Sequence, residues 1–174
     1  MKILILGLPG SGKTTQAKKI AEDLKICFIN FGQILREMIA ADGPLGKKIK
    51  EKVEKGFLVE DELVAQIIKD RLKQPDCQYG FVIDGYPRSL AQIHLFDPKF
   101  DYVIHLNVSE EKATKRMLSR GRLDDKDRII ATRFKAQKRR IVMLLNYYIS
   151  INKLIEIDGE QSIEEVHRQI KKSL

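Results

Sequence analysis

The segment "GLPGSGKT", residues 7–14, sets Gly7, Gly12, Lys13 and Thr14 at the spacing G-x-x-x-x-G-K-T of a phosphate-binding P-loop. Glycines let a backbone turn tightly and bring amide N–H groups against an anion with no Cβ in the way. The N-terminus of a following helix adds partial positive charge. Lys13 supplies a point charge for β- and γ-phosphates, and a hydroxyl after the lysine can ligate Mg2+. Such a loop implies a nucleoside triphosphate but leaves its fate open. A second group, "GFVIDGYPR" at residues 80–88, ends an apolar run on the carboxylate of Asp84 and continues to Arg88. A carboxylate at the carboxyl edge of a parallel strand suits a metal held through water, and a guanidinium suits bidentate phosphate contact. A third group is cationic. Residues 112–140 hold twelve Lys or Arg against Asp124, Asp125 and Asp127, a local charge of +9 in a chain of net charge +8. That segment points to an anionic partner, with Lys135, Lys138, Arg139 and Arg140 read as surface.

Positioning these groups requires a sheet that carries them on one edge. Five short apolar runs, at residues 3–6, 27–29, 81–83, 102–106 and 154–157, are continuous rather than alternating, as expected of strands buried on both faces. Helical patterns lie between them at residues 13–25, 61–73 and about 126–151, and Ser162 with Glu165 reads as a capping box opening a last helix. Strands alternating with helices predict a parallel sheet covered on both faces. The loop signals are "ADGPLG" (41–46) and "RGRLDD" (120–125).

Composition narrows the class. The 174 residues fit one domain, with 43% hydrophobic and 32% charged side chains. No apolar run is long enough to span a membrane, and no secretory signal is read at the start. Cys27 and Cys77 form no CxxC and are expected to be reduced core thiols of a cytoplasmic protein. His94, His105 and His167 are scattered, so a His/Cys metal site is not expected.

Taken together, the motifs resemble the adenylate kinase family of nucleoside monophosphate kinases. "GLPGSGKTTQA" (7–17) is similar to the family's GxPGxGKGTQA, and "INFGQILREMI" (29–39) to its STGDMLR motif. "GFLVEDELV" (56–64), "GFVIDGYPRSLAQ" (80–92), "RGRLDD" followed by Arg133, and "IDG" (157–159) complete a collinear match over nearly the whole chain. The resemblance implies a P-loop NTPase-type three-layer α/β/α fold with a five-stranded parallel sheet. It implies one domain, 1–174, with a core of 1–29, 81–119 and 126–174. A helical insert for the monophosphate would span about 30–60, and a short lid about 120–125.

The implied activity is reversible, Mg2+-dependent transfer of a phosphoryl group from ATP to AMP, giving two ADP. Gly10, Ser11, Gly12, Lys13, Thr14 and Thr15 would wrap the ATP phosphates, with Gln161 beside the ATP base. Arg36 and Arg88 would hold the monophosphate, near Gly85 and Tyr86. Phe31 and the backbone of Phe57, Leu58 and Val59 would line its base and ribose, and Gln92 would hydrogen-bond adenine. Lys13, Arg88, Arg120, Arg122 and Arg133 would converge on the transferring phosphoryl group, with Arg120 also on ATP and Arg122 and Arg133 on AMP. Thr14 and, through water, Asp84 would hold Mg2+. ATP and a monophosphate are the expected partners of a monomer, with neither membrane nor nucleic acid.

The chain departs from the family in four places. Thr14 replaces a glycine, Phe31 a threonine that meets the AMP base, and Gln33 an aspartate near the metal. Only Gly121 separates Arg120 from Arg122, so the lid is minimal, and ATP hydrolysis without an acceptor is a possible consequence. Phe31 keeps a pyrimidine monophosphate (CMP or UMP) kinase as an alternative. The basic segment and short lid keep a P-loop ATPase that binds RNA or a protein. If the loop reading holds, Lys13→Met abolishes turnover while circular dichroism stays that of the parent. Near-normal turnover in that variant would show the loop to be misread.

Overall fold

The computed structural model describes residues 1–55, 57, 59–119 and 127–174, and within 127–136 the side chains of Ala131, Phe134 and Lys135 alone. The expected lid at 120–125, with Arg120 and Arg122, and Leu58 lie outside the described residues.

Five strands form one sheet: β1 (Lys2–Leu6), β2 (Cys27–Asn30), β3 (Phe81–Asp84), β4 (Tyr102–Asn107) and β5 (Leu154–Asp158). They lie in the order β2-β3-β1-β4-β5 and all pair in parallel. The continuous apolar runs have the predicted cause, because alternate side chains enter different cores. Leu4 and Leu6 of β1, with Ile29, Phe81, Ile83 and Val103, face one core. Ile3 and Ile5, with Val82, Ile104 and Ile157, face the other.

Helices cover both faces. The second core is closed by α1 (Lys13–Leu24), through Ala17, Ile20 and Ala21, and by a C-terminal helix (Ile163–Ser173), through Val166 and Ile170. In chain order the others are α2 (Phe31–Ala40), α3 (Pro44–Glu54), α4 (Asp61–Leu72), α5 (Leu90–Leu95), α6 (Glu110–Ser119) and α7 (Asp127–Ser150), which makes the C-terminal one α8. The first core takes in Leu35 of α2, Ile49 of α3, Val64 and Ile68 of α4, Ile93 of α5, and Leu144 and Tyr148 of α7. The architecture is therefore a three-layer α/β/α sandwich. Between β2 and β3 the chain makes three helices and a short 3-10 turn (Pro75–Cys77).

The α8 cap is only half of the predicted box. The Ser162 hydroxyl accepts from the Glu165 N–H at 3.2 Å, but the Glu165 carboxylate accepts from Arg168 and Gln169. A basic residue one turn on competes for the acid that would otherwise turn back to Ser162.

Three strand ends meet where the chain connections diverge. From β1 the chain passes to β2 on one side of the sheet, and from β3 to β4 on the other, so β1 and β3 flank a topological switch point. Ile5 pairs with Asp84, and Asp84 with Asn30, so the loops leaving all three strands start side by side. Ligands of open parallel sheets bind at this edge.

The loop after β3 is anchored from inside. The Tyr86 side chain is fully buried, and its hydroxyl donates to the carbonyls of Gln92, at 2.9 Å, and Phe96. Tyr86→Phe takes the hydroxyl from the Phe96 carbonyl, while the Gln92 carbonyl keeps the Phe96 N–H at 2.9 Å. The expected cost is about 1–3 kcal/mol, read as a lower urea midpoint with an unchanged slope.

Candidate active site

A cavity of about 720 Å³ lies over the three strand ends and is lined from both sides. On one side stand Gly10, Ser11, Gly12, Lys13, Thr14 and Thr15 of the P-loop. Gly10 has φ +81°, and a Cβ there would sit 2.3 Å from the Ala113 carbonyl oxygen, so the turn admits only glycine. Gly12, at φ +95°, caps α1 without a side-chain hydrogen bond, and the first turn of α1 has no acidic residue. The amides of that turn therefore face the cavity with no side-chain acceptor of their own, an arrangement that favours an anion. The Lys13 ammonium donates to the Leu8 carbonyl at 2.6 Å, which lays its side chain back across the loop. The Thr14 hydroxyl donates to the buried Asp84 carboxylate, so the tail of the P-loop and the end of β3 are joined directly.

Across the cavity stand Phe31, Arg36, Phe57, Val59, Arg88 and Gln92. Arg36 is held by Gln33, whose side-chain oxygen accepts from Nε at 3.2 Å and Nη2 at 2.8 Å. Gln33 is fixed in turn by its own amide, which donates to Glu37 at 2.9 Å, and by its N–H on the Asn30 cap. The residue read from sequence as a missing metal carboxylate therefore serves as the seat of a guanidinium. Arg88 donates from Nε to the Gly85 carbonyl at 2.9 Å and from its backbone N–H to the Gln92 side-chain oxygen at 2.7 Å. The Gln92 amide nitrogen donates to Asp61 at 2.7 Å, and Ser89 donates to the same carboxylate at 3.1 Å. With an N–H donor on one end and a carboxylate on the other, the Gln92 amide has one orientation only. These two bonds use one lone pair and one N–H of the amide and leave the other of each.

Most of the sequence-derived site residues line this one cavity, and a few do not. Phe31 lines it while belonging to the core, at 2% exposure. Val59 does the same, and Phe57 is 55% exposed at the rim. Gly85 lines the cavity, but the structure does not bring Tyr86 to it: that ring points into the core and supports α5. Burial pushes the Tyr86 phenol up, which keeps it a neutral donor. Gln161 lines the far end and donates to Asp158 at 2.7 Å, which holds that carboxyl below its usual range. The Arg133 backbone lies in α7, and its side chain is outside the described residues.

Two contributors escaped the sequence reading. Asp61 sits in the first turn of α4, where an acid reads as favourable helix electrostatics. Only the packing of α4 against α5 turns it toward Gln92. Arg116 lines the cavity and donates through both terminal nitrogens to the Gly159 carbonyl, each at 3.1 Å, pinning α6 to the loop after β5. It belongs to the +9 segment, and nothing in its spacing separates it from its neighbours.

A P-loop facing two seated guanidinium groups and an oriented amide defines a P-loop phosphotransferase of the α/β/α class. The adenylate kinase family model matches residues 5–153, and the chain belongs to that family. An "Adenylate kinase" of Archaeoglobus fulgidus is 37% identical, covering 98% of this chain and 96% of its own. An "Adenylate kinase 1" of a Nostoc species is 36% identical over 99% of this chain and 98% of its own. An "Adenylate kinase" of Kosmotoga olearia is 36% identical over all of this chain and 99% of its own. That last alignment runs over 212 positions, so the relative carries segments that these 174 residues lack. The chain is a nucleoside monophosphate kinase, a phosphotransferase with a phosphate group as acceptor, and the pyrimidine-kinase and binding-module alternatives are not favoured. Among the described residues no helix is long and apolar enough to cross a membrane.

The Asp61 contacts yield a kinetic prediction. Asp61→Ala frees the Gln92 amide and removes the Ser89 contact, so KM for the monophosphate rises about tenfold with KM for ATP unchanged, as expected for one lost buried hydrogen-bond partner. Equal rises in both constants would place the effect on the fold instead.

Proposed function

We propose that the chain transfers the terminal phosphoryl group of ATP to AMP, reversibly. The observation that carries the substrate reading is the locked Gln92 amide, at 1% exposure, in the same cavity as Arg36 and Arg88. Its spare N–H and lone pair match an acceptor and a donor on one base edge, as adenine N1 and the 6-amino group present them. Cytosine offers the same pair on a smaller ring. Uracil and guanine present the pair in mirrored order, and the amide cannot flip without losing Arg88 and Asp61.

In this reading the P-loop amides and Lys13 hold the ATP phosphates, and Arg36 and Arg88 hold the acceptor phosphate. The role of the chain is to place the two phosphates in line and to supply fixed positive charge, with no covalent nucleophile. The oxygen donors Thr14 and Asp84, already joined by a hydrogen bond at the cavity wall, fit a hard cation such as Mg2+. Thr14 would hold it directly and Asp84 through water. When bound, the ion supplies charge neutralisation on the donor phosphates. Arg120, Arg122 and Arg133 are proposed to complete the cationic surround on closure, with residues 120–125 as the lid and about 30–60 as the monophosphate insert.

A coupled assay with MgATP and a panel of monophosphates tests this, with a no-acceptor control for hydrolysis. The expected order is AMP fastest, CMP slower, and UMP and GMP slowest. Faster turnover of UMP than of AMP, or ATP hydrolysis indifferent to any monophosphate, would sink the proposal.

A further inference from the structure

The chain has two cysteines, fifty positions apart, and the fold brings them together. Cys27 opens β2, the edge strand, and Cys77 closes the 3-10 turn that leads into β3. Both are buried, and their sulfurs and an Asp76 carboxylate oxygen lie within 4.8 Å of one another. One side chain organises all three. The Arg71 guanidinium donates to Cys77 Sγ at 3.0 Å, to Cys27 Sγ at 3.3 Å, and to Asp76 at 2.9 and 2.7 Å. The Cys27 thiol donates to Asp76 at 3.4 Å. Neither cysteine, nor Arg71 or Asp76, lines the nucleotide cavity, which opens at the other ends of the strands.

Two sulfurs and a carboxylate at this spacing also suit a soft metal ion. The guanidinium argues against one, because it already occupies the cationic centre of the cluster and would repel a second charge. It donates to both sulfurs and so offsets part of the cost of a thiolate, which burial raises, and a thiolate is the species that starts thiol oxidation.

We propose that Cys27 and Cys77 are a modification site, an oxidisable pair that closes into an intrachain disulfide when the protein meets a peroxide. The thiolate of one cysteine attacks a peroxide oxygen. The O–O bond breaks, hydroxide leaves and takes up a proton, and a sulfenic acid remains. The second sulfur then attacks that sulfur: the S–S bond forms, the S–O bond breaks, and water departs with the second thiol proton. Two thiols and one hydrogen peroxide give one disulfide and two waters, the sulfurs losing the two electrons that the peroxide gains.

Burial pushes both thiols up, so the reaction waits on local opening and is slower than at an exposed cysteine. The closed loop contains α2, α3 and α4, the whole excursion between β2 and β3, and ties its two ends at the base. Cross-linking a loop of that length restricts the unfolded chain and raises Tm by roughly 10 °C.

The test uses the intact, reduced chain incubated with hydrogen peroxide at neutral pH. The expected product is about 2 Da lighter, has no free thiol after denaturation, yields one peptide joining Cys27 to Cys77, melts higher, and reverts with dithiothreitol. Cys77→Ser should lose the mass drop and the cross-linked peptide. Thiols that persist in the oxidised sample, a gain of oxygen at each cysteine with no joined peptide, or a cross-link between two chains would each overturn the proposal.

Discussion

Ile5, Asp84 and Asn30 lie side by side at the carboxyl ends of β1, β3 and β2, and that shared register sets where the phosphate-facing loops begin. The P-loop leaves after Leu6, the Gly85–Arg88 turn after Asp84, and α2 with Gln33 and Arg36 after Asn30. Parallel pairing forces all three departures to one edge, because parallel strands point the same way. Two polyanions must be brought together for this reaction, and their repulsion is tolerable only where cations and amide dipoles converge. Helix termini, the Thr14–Asp84 contact and the two guanidinium groups converge there for one reason: the strands end together.

Preorganisation is the second theme. Arg36 is seated by Gln33, Arg88 by the Gly85 carbonyl, and Gln92 by Asp61 and the Arg88 N–H. Each bond removes rotamer freedom that a ligand would otherwise have to remove on binding. Beneath them, Tyr86 fastens α5 from within the core, so the orienting amide rests on a buried hydroxyl. Gln33 shows how an exchange of one residue redistributes tasks. An amide there gives up a charge that would favour a cation and gains a neutral seat for a guanidinium, while the Thr14 hydroxyl stands against Asp84 on the opposite wall.

The sequence carries the P-loop, the five strands and the main helices, because these depend on local spacing and on apolar period, both of which can be read along the chain. The family resemblance rests on the same property, since its motifs are contiguous words such as "GLPGSGKTTQA" and "GFVIDGYPRSLAQ". Charge is legible too, as the +9 segment shows, although spacing does not say that Arg116 rather than Lys115 turns to the cavity.

What only the tertiary structure decided are contacts between distant positions. Asp61 reads as a helix-start acid, and its role appears when α4 packs against α5. Tyr86 stands within a binding motif, yet its ring faces the core because the turn after β3 directs it inward. Cys27 and Cys77 read as two unrelated thiols until β2 and the turn before β3 are laid edge to edge around Arg71. The physical reason is common to all three. Local preference and period fix which residues form an element and which face is apolar, whereas the partner of a buried polar group depends on how elements pack. In this chain, sheet order and register settle that packing.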